Sequence, residues 1–155
     1  MVTVNMQIEV SAVKGALDQI KRKIPSASRK SIGASSAFIE NAILKRTEAG
    51  RDYKGRAFKK YSKGYARKRA KEGRTLTPNL YFEGLMLGNM TFKIISSTKG
   101  IIHFPNTDQN KKAFWHNISG AGKGKVVREF FNVNKKEEDK AVEVFRKSFE
   151  KELRI

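Results

Sequence analysis

Residues 90–104 read MTFKIISSTKGIIHF. Met90, Phe92 and Ile94 fall on alternate positions, the period of a strand with one apolar and one wet face. Gly100 then turns the chain into Ile101, Ile102, His103 and Phe104, so the stretch predicts a β-hairpin. Most of what flanks it has helical spacing instead. The combination predicts an α+β fold, with N-terminal, central and C-terminal helices packed on one small, mainly antiparallel sheet.

Towards the N-terminus, Val2, Val4, Met6, Ile8 and Val10 alternate with polar residues and predict a further strand. Ser11 is placed to cap a helix carrying Val13, Ala16, Leu17, Ile20 and Ile24, which Pro25 should end. A second helix should start near Ser26 or Ser28, carry Ile32, Phe38, Ile39, Ala42 and Ile43, and stop by Gly50. Residues 51–60 read as a loop turning at Gly55. Ser62 is a fair N-cap for a short helix to Lys71, ended by Gly73. Tyr61 and Tyr65 lie four apart, so both rings can meet one neighbour.

Beyond the hairpin, Thr107 could cap a helix Asp108–Ile118 holding Ala113, Phe114, Trp115 and Ile118. Gly120, Gly122 and Gly124, interleaved with lysines, form a loop, and Val126–Val133 suggests another strand. The last helix should place Val142, Phe145, Phe149 and Leu153 on one stripe. No internal repeat is visible. The expectation is one domain over residues 1–155, with flexible basic loops at 51–60 and 119–125.

Charge narrows the possible partners. The chain has 33 Lys and Arg against 15 Asp and Glu, a net +18. The 30 positions from Lys45 to Arg74 hold 13 basic and 3 acidic residues, so 13 − 3 = +10 of that excess lies in one segment. Such density favours a polyanion or an acidic protein surface as neighbour, over a basic surface kept only for solubility. Hydrophobic residues are 39%, and ten Phe with one Trp supply a modest core. There is no cysteine, hence no disulfide and no thiolate chemistry. The alternating start does not read as a signal peptide, and no stretch approaches the ~20 apolar residues of a membrane span. No membrane partner is expected, and synthesis in a cytosol is.

Catalysis is not expected. His103 and His116 show no metal-ligand spacing, and no carboxylate pair sits in apolar context, so neither a metal, a cofactor nor an acid–base pair is predicted. Residues 120–125, GAGKGK, lack the Gly-Lys-Ser/Thr ending of a nucleotide-binding phosphate loop. What remains is the basic segment. Arg51, Arg56, Lys59, Lys60, Lys63, Arg67, Lys68 and Arg69, with Lys123 and Lys125, are the candidate contacts to DNA or a protein partner. Phe58, Tyr61, Tyr65, Trp115 and Phe130 are candidate structural anchors; the rings among the basic residues could also stack on bases. No helix-turn-helix, RNA-recognition or zinc-finger signature accompanies them.

Four blocks in order carry a family resemblance. Gly55-Arg56-x-Phe58-x-x-Tyr61-Ser62-x-x-Tyr65-Ala66 is followed by Leu80-x-x-Glu83-Gly84-x-Met86-x-x-Asn89, Ala113-x-Trp115-His116-Asn117 and Arg128-Glu129-Phe130-Phe131. Together they resemble the phage virion morphogenesis family, the tail-completion or neck proteins of head–tail joining, over roughly residues 36–150. Glu83, Asn89 and Glu129 depart from that pattern, which has Thr, Ser and Pro there. The resemblance implies a non-enzymatic virion protein, assembled in the host cytoplasm. It would form a ring, commonly a hexamer, at the head–tail junction or tail terminus. Its neighbours would be connector, adaptor and tail-tube proteins, and it would surround the channel of the packaged double-stranded DNA. From residues alone, the other reading is a free basic nucleic-acid-binding protein.

Overall fold

One helix runs where two were expected. The computed structural model describes residues 10–81 and 83–154, and α1 spans Val10–Glu48 without interruption, with Pro25 inside it. The strand expected at Val2–Val10 falls on residues 1–9, outside the described residues, except for Val10, which opens α1. Proline removes one intrahelical N–H and crowds the carbonyl four residues back, here that of Lys21. The turn around it is exposed, from Lys21 to Ser26 except for a half-buried Lys23. The freed carbonyl is therefore not stranded in the interior. Ser26 Oγ donates to Lys23 O at 2.9 Å.

The second half of α1 is the backbone of the core. Helix α4, Lys135–Leu153, packs antiparallel along it. Arg46 forks onto Glu137 at 2.6 and 2.7 Å at one end, Ser35 Oγ donates to Ala141 O at 2.8 Å midway, and Lys30 meets Glu152 at 2.6 Å at the other. Asn134 caps α4 by accepting from Glu137 N at 3.0 Å, while Glu137 accepts from Asn134 N at 3.0 Å. The face turned to α1 is Ala141, Val144, Phe145, Ser148 and Phe149, all half-buried. Val142, expected on that stripe, is exposed instead. It stands three residues from Phe145, but the buried arc is centred nearer Ala141 and Val144.

The expected hairpin is present as β1, Thr91–Ile94, and β2, Gly100–His103, paired antiparallel with Phe92 opposite Ile102 and Ile94 opposite Gly100. It lies across the middle of α1. A Cβ on Gly100 would sit 2.7 Å from Ser36 Oγ and 2.9 Å from Ile32 Cγ2, so glycine is what lets strand and helix approach. Ile43, Phe58, Met86, Leu87, Met90, Phe104, Ala113 and Phe130 form the buried core beneath, with Phe104 in ring contact with Phe130 and Phe131. Phe58 and Phe130, two of the candidate anchors, both lie in this core.

The strand expected over Val126–Val133 does not form; only Val126 bridges, to Ala121. The backbone groups of this segment bond to three different places rather than to one ladder. Arg128 N donates to His116 O at 2.7 Å, Tyr53 N to Glu129 O at 3.0 Å, and Phe131 N to Asn117 Oδ1 at 2.8 Å. The segment is an extended tie between the basic loop and the turn at residues 115–119.

Candidate functional site

Helix α2, Lys63–Lys71, begins and ends as its sequence requires. Ser62 Oγ accepts from Tyr65 N at 3.4 Å, and Gly73 leaves the helix at φ +63°. Tyr65 and Arg69, four apart, share one side of α2, and Tyr61, just before the cap, comes against both. The two rings meet edge to face with centroids 5.0 Å apart. Arg69 lies 5.0 Å from the Tyr61 centroid and 6.0 Å from that of Tyr65, is only 2% exposed, and donates from Nε to Thr75 O at 2.8 Å. Arg128 approaches the same Tyr61 ring to 5.5 Å. It is 7% exposed and donates from Nη2 to Lys59 O at 3.0 Å, while its Nε has no partner. Among the described residues no carboxylate pairs with either guanidinium.

The remaining wall comes from the end of α3 and the glycine loop. Helix α3, Thr107–Phe114, is capped by Asn106, not Thr107, and widens into a π-helical turn over Trp115–Ser119. The loop after it closes tightly: Ala121 and Val126 exchange backbone bonds of 3.0 and 3.1 Å. Gly120, at φ +83°, lies so near the returning strand that a Cβ would meet Lys125 O at 2.3 Å. Between this loop and α2 lies a pocket of about 510 Å³, with Lys60, Tyr65, Arg69, His116, Lys123 and Arg128 in its wall and no acidic side chain among the described residues. Burial, aided by the Arg128 charge, pushes the His116 imidazole down to about 4, so it is neutral at pH 7. Its Nδ1 is buried and has no partner. Burial likewise lowers Arg128, opposed by Tyr61 and Tyr65. A pocket of this composition receives anions and repels cations. No group of three His, Cys, Asp or Glu able to hold a metal occurs among the described residues.

The expected contact residues separate into two sets. Lys59, Lys60, Lys63, Arg67 and Lys68 are exposed, with only Lys68 near an acid, 3.9 Å from Glu72. Arg51 is exposed and bonds to Gly55 O at 2.9 Å, closing the loop over residues 51–57. Arg56 is held by Asp52 at 2.7 Å. Burial alone would raise the Asp52 carboxyl, but the backbone and side chain of Arg56 and the Lys54 N–H hold it below its ordinary value. Lys123 reaches the pocket, whereas Lys125 is exposed outside it. Arg69, another candidate contact, faces the pocket from the interior.

Trp115 is not an anchor. It is 51% exposed, and Phe114 and Ile118 are exposed with it. Ala113 is the residue of this turn that enters the core, and Trp115, two positions on, falls on the opposite side of the helix. Arg128 and His116 had no assigned site role from sequence. The available signal was the Tyr61, Tyr65, Arg69 spacing, which places an arginine on the same helix side as two rings. Nothing local in the sequence brings Arg128 there. No protein-family model, curated protein or solved structure matches this chain.

Proposed function

We propose that the chain is a structural protein of a tailed phage or prophage virion, a ring-forming subunit at the head–tail junction or tail terminus that joins tail to head around the DNA channel. The reading rests on the ordered sequence blocks and is supported by one surface feature. Phe114, Trp115 and Ile118 are exposed together on a single turn, and clustered aromatic exposure of this kind marks a protein contact. Val13, Leu17 and Ile24 are also exposed along the N-terminal half of α1. A subunit of this kind leaves apolar groups for its neighbours to cover.

Charge then makes assembly conditional. Six copies would carry 6 × 18 = +108, and such a ring repels itself unless DNA or acidic neighbours neutralise it. No helix among the described residues is long and apolar enough to cross a membrane.

The test is genetic and structural together. Replacing Lys59, Lys60, Lys63 and Arg67 by Ala should leave the circular dichroism of the monomer unchanged while free heads and free tails accumulate in lysates. Normal yields of joined, infectious particles from that variant and from Trp115→Ala would overturn the proposal. The same exposed lysines favour a second reading, free nucleic-acid binding. That reading requires tight binding of bare duplex with a steep salt slope and no copurification with particles.

A further inference from the structure

The pocket between α2 and the glycine loop holds two cations that no described residue neutralises. Arg69 and Arg128 are 2% and 7% exposed and have no carboxylate partner among the described residues. Burying a guanidinium without a counter-charge is costly, and contacts with Tyr61 and with carbonyl oxygens compensate only in part. The chain meets the same problem at Arg46 and solves it with the carboxylate of Glu137, at 2.6 and 2.7 Å. At the pocket no described residue supplies the equivalent acid, and Lys60 and Lys123 add positive charge at its rim.

We infer that this pocket is a receptor for a glutamate or aspartate side chain presented by a flexible acidic segment of a partner protein. A planar carboxylate matches the fork of an arginine. The about 510 Å³ available accommodates a side chain and its neighbours, within the usual ~300–1,000 Å³ of binding pockets. Leu80 and Val126 in the wall offer contact to the methylenes. Duplex DNA carries its phosphates on a stiff convex surface. It can reach Lys59, Lys63 and Arg67, but not guanidiniums this deeply enclosed. A glutamate on an extended segment can. The inference stands on the pocket alone and is tested on the isolated full chain, so it can fail while the virion reading holds, and the reverse.

The probes are an end-blocked octapeptide of alternating glutamate and glycine, its glutamine counterpart, and a short DNA duplex. Each is titrated into ¹⁵N-labelled protein while the Arg69 and Arg128 Nε–H signals are followed by NMR. The acidic peptide should shift both signals saturably and the glutamine peptide neither. Duplex should move signals of the exposed basic residues only. Lys123→Gln, on an exposed loop, should weaken the peptide about tenfold, the loss of one charge-assisted contact. Arg128→Lys should do the same if it folds, and Lys63→Gln, which removes equal charge away from the pocket, should weaken it less than about twofold. The inference fails if Lys63→Gln matches Lys123→Gln, if the peptide leaves the two arginine signals unmoved, or if duplex moves them as strongly.

Discussion

Replacing Arg46 by Ala should be among the most damaging single changes to stability, and burial is the reason. Arg46 and Lys30 both make ion pairs between α1 and α4, and both have a closest approach of 2.6 Å. Distance alone would rank them equal. The side chains of Arg46 and Glu137 are 8% and 14% exposed, those of Lys30 and Glu152 65% and 30%. Arg46 also donates to Phe130 O at 2.8 Å and Asn132 O at 2.7 Å, tying the extended segment before α4 to α1. Its removal leaves Glu137 nearly buried with only the Asn134 N–H as partner, and it strands the Phe130 carbonyl. Breaking a buried pair from one side typically costs about 3–5 kcal/mol. Asn132 is exposed and can turn to water, which points to the lower end, ~3 kcal/mol. For a chain of this size that is a fall in Tm of roughly 6–12 °C. Lys30→Ala should cost no more than ~1 kcal/mol. Urea unfolding followed by far-ultraviolet circular dichroism measures both; the fluorescence of Trp115, already exposed, would report little. Losses for Arg46→Ala and Lys30→Ala that agree within experimental error would refute the reasoning.

Four further substitutions probe the site. His116 is neutral in the folded state and has a folded value of about 4 against an ordinary 6.5, so the unfolded chain takes up the proton first as pH falls. Its contribution, up to about 3 kcal/mol, is complete above pH 6.5 and is lost on descending towards pH 4. His116→Gln should flatten that part of the stability–pH curve, and an unchanged slope would count against a buried neutral imidazole. Asp52, held below its ordinary 3.8, stabilises the fold above that value, and its contribution is lost only at more acidic pH. In the glycine loop, Gly122→Ala meets no atom within 4 Å and should cost only the left-handed backbone penalty of about 1–2 kcal/mol. Gly120→Ala drives a methyl into Lys125 O and should cost clearly more by urea midpoint; equal losses would contradict the loop geometry. Arg69→Met should leave stability unchanged or raise it, because it removes a buried cation that has no carboxylate partner among the described residues. A loss above about 2 kcal/mol would show that the ring contacts of Arg69 hold the fold together.

Where a local signal decides structure, the sequence was readable. The Ser62 cap, the Gly73 stop and the alternation around Phe92 and Ile102 each act over a few residues, and each element formed where they indicate. The misreadings came where tertiary context overrides a local rule. Pro25 breaks helices when its freed carbonyl must be buried, but here the turn is exposed and the helix continues. Val126–Val133 has strand composition, yet its backbone partners lie on His116, Asn117 and Tyr53, which no local pattern predicts. Trp115 was a candidate anchor, and its position relative to Ala113 turns it outward.

The basic segment shows the same limit at the level of function. Counting charges treats Lys63, Arg67 and Arg69 as equivalent, since all three lie on one short helix. Helical phase separates them: Arg69 shares the Tyr61 and Tyr65 side and is enclosed, while Lys63 and Arg67 stay in solvent. The difference changes what each can bind. Exposed lysines attract any polyanion at range, weakly and with strong salt dependence. Enclosed arginines sharing one tyrosine ring select by shape, and they act only on a group small enough to enter. A chain that carries both can be drawn to its neighbours by the first set and fixed in register by the second. Only the second is costly to keep in the unbound protein. An uncompensated pair of buried cations, in a fold that pairs Arg46 with Glu137, is therefore the better marker of a binding site than the charge run that first draws attention to this segment.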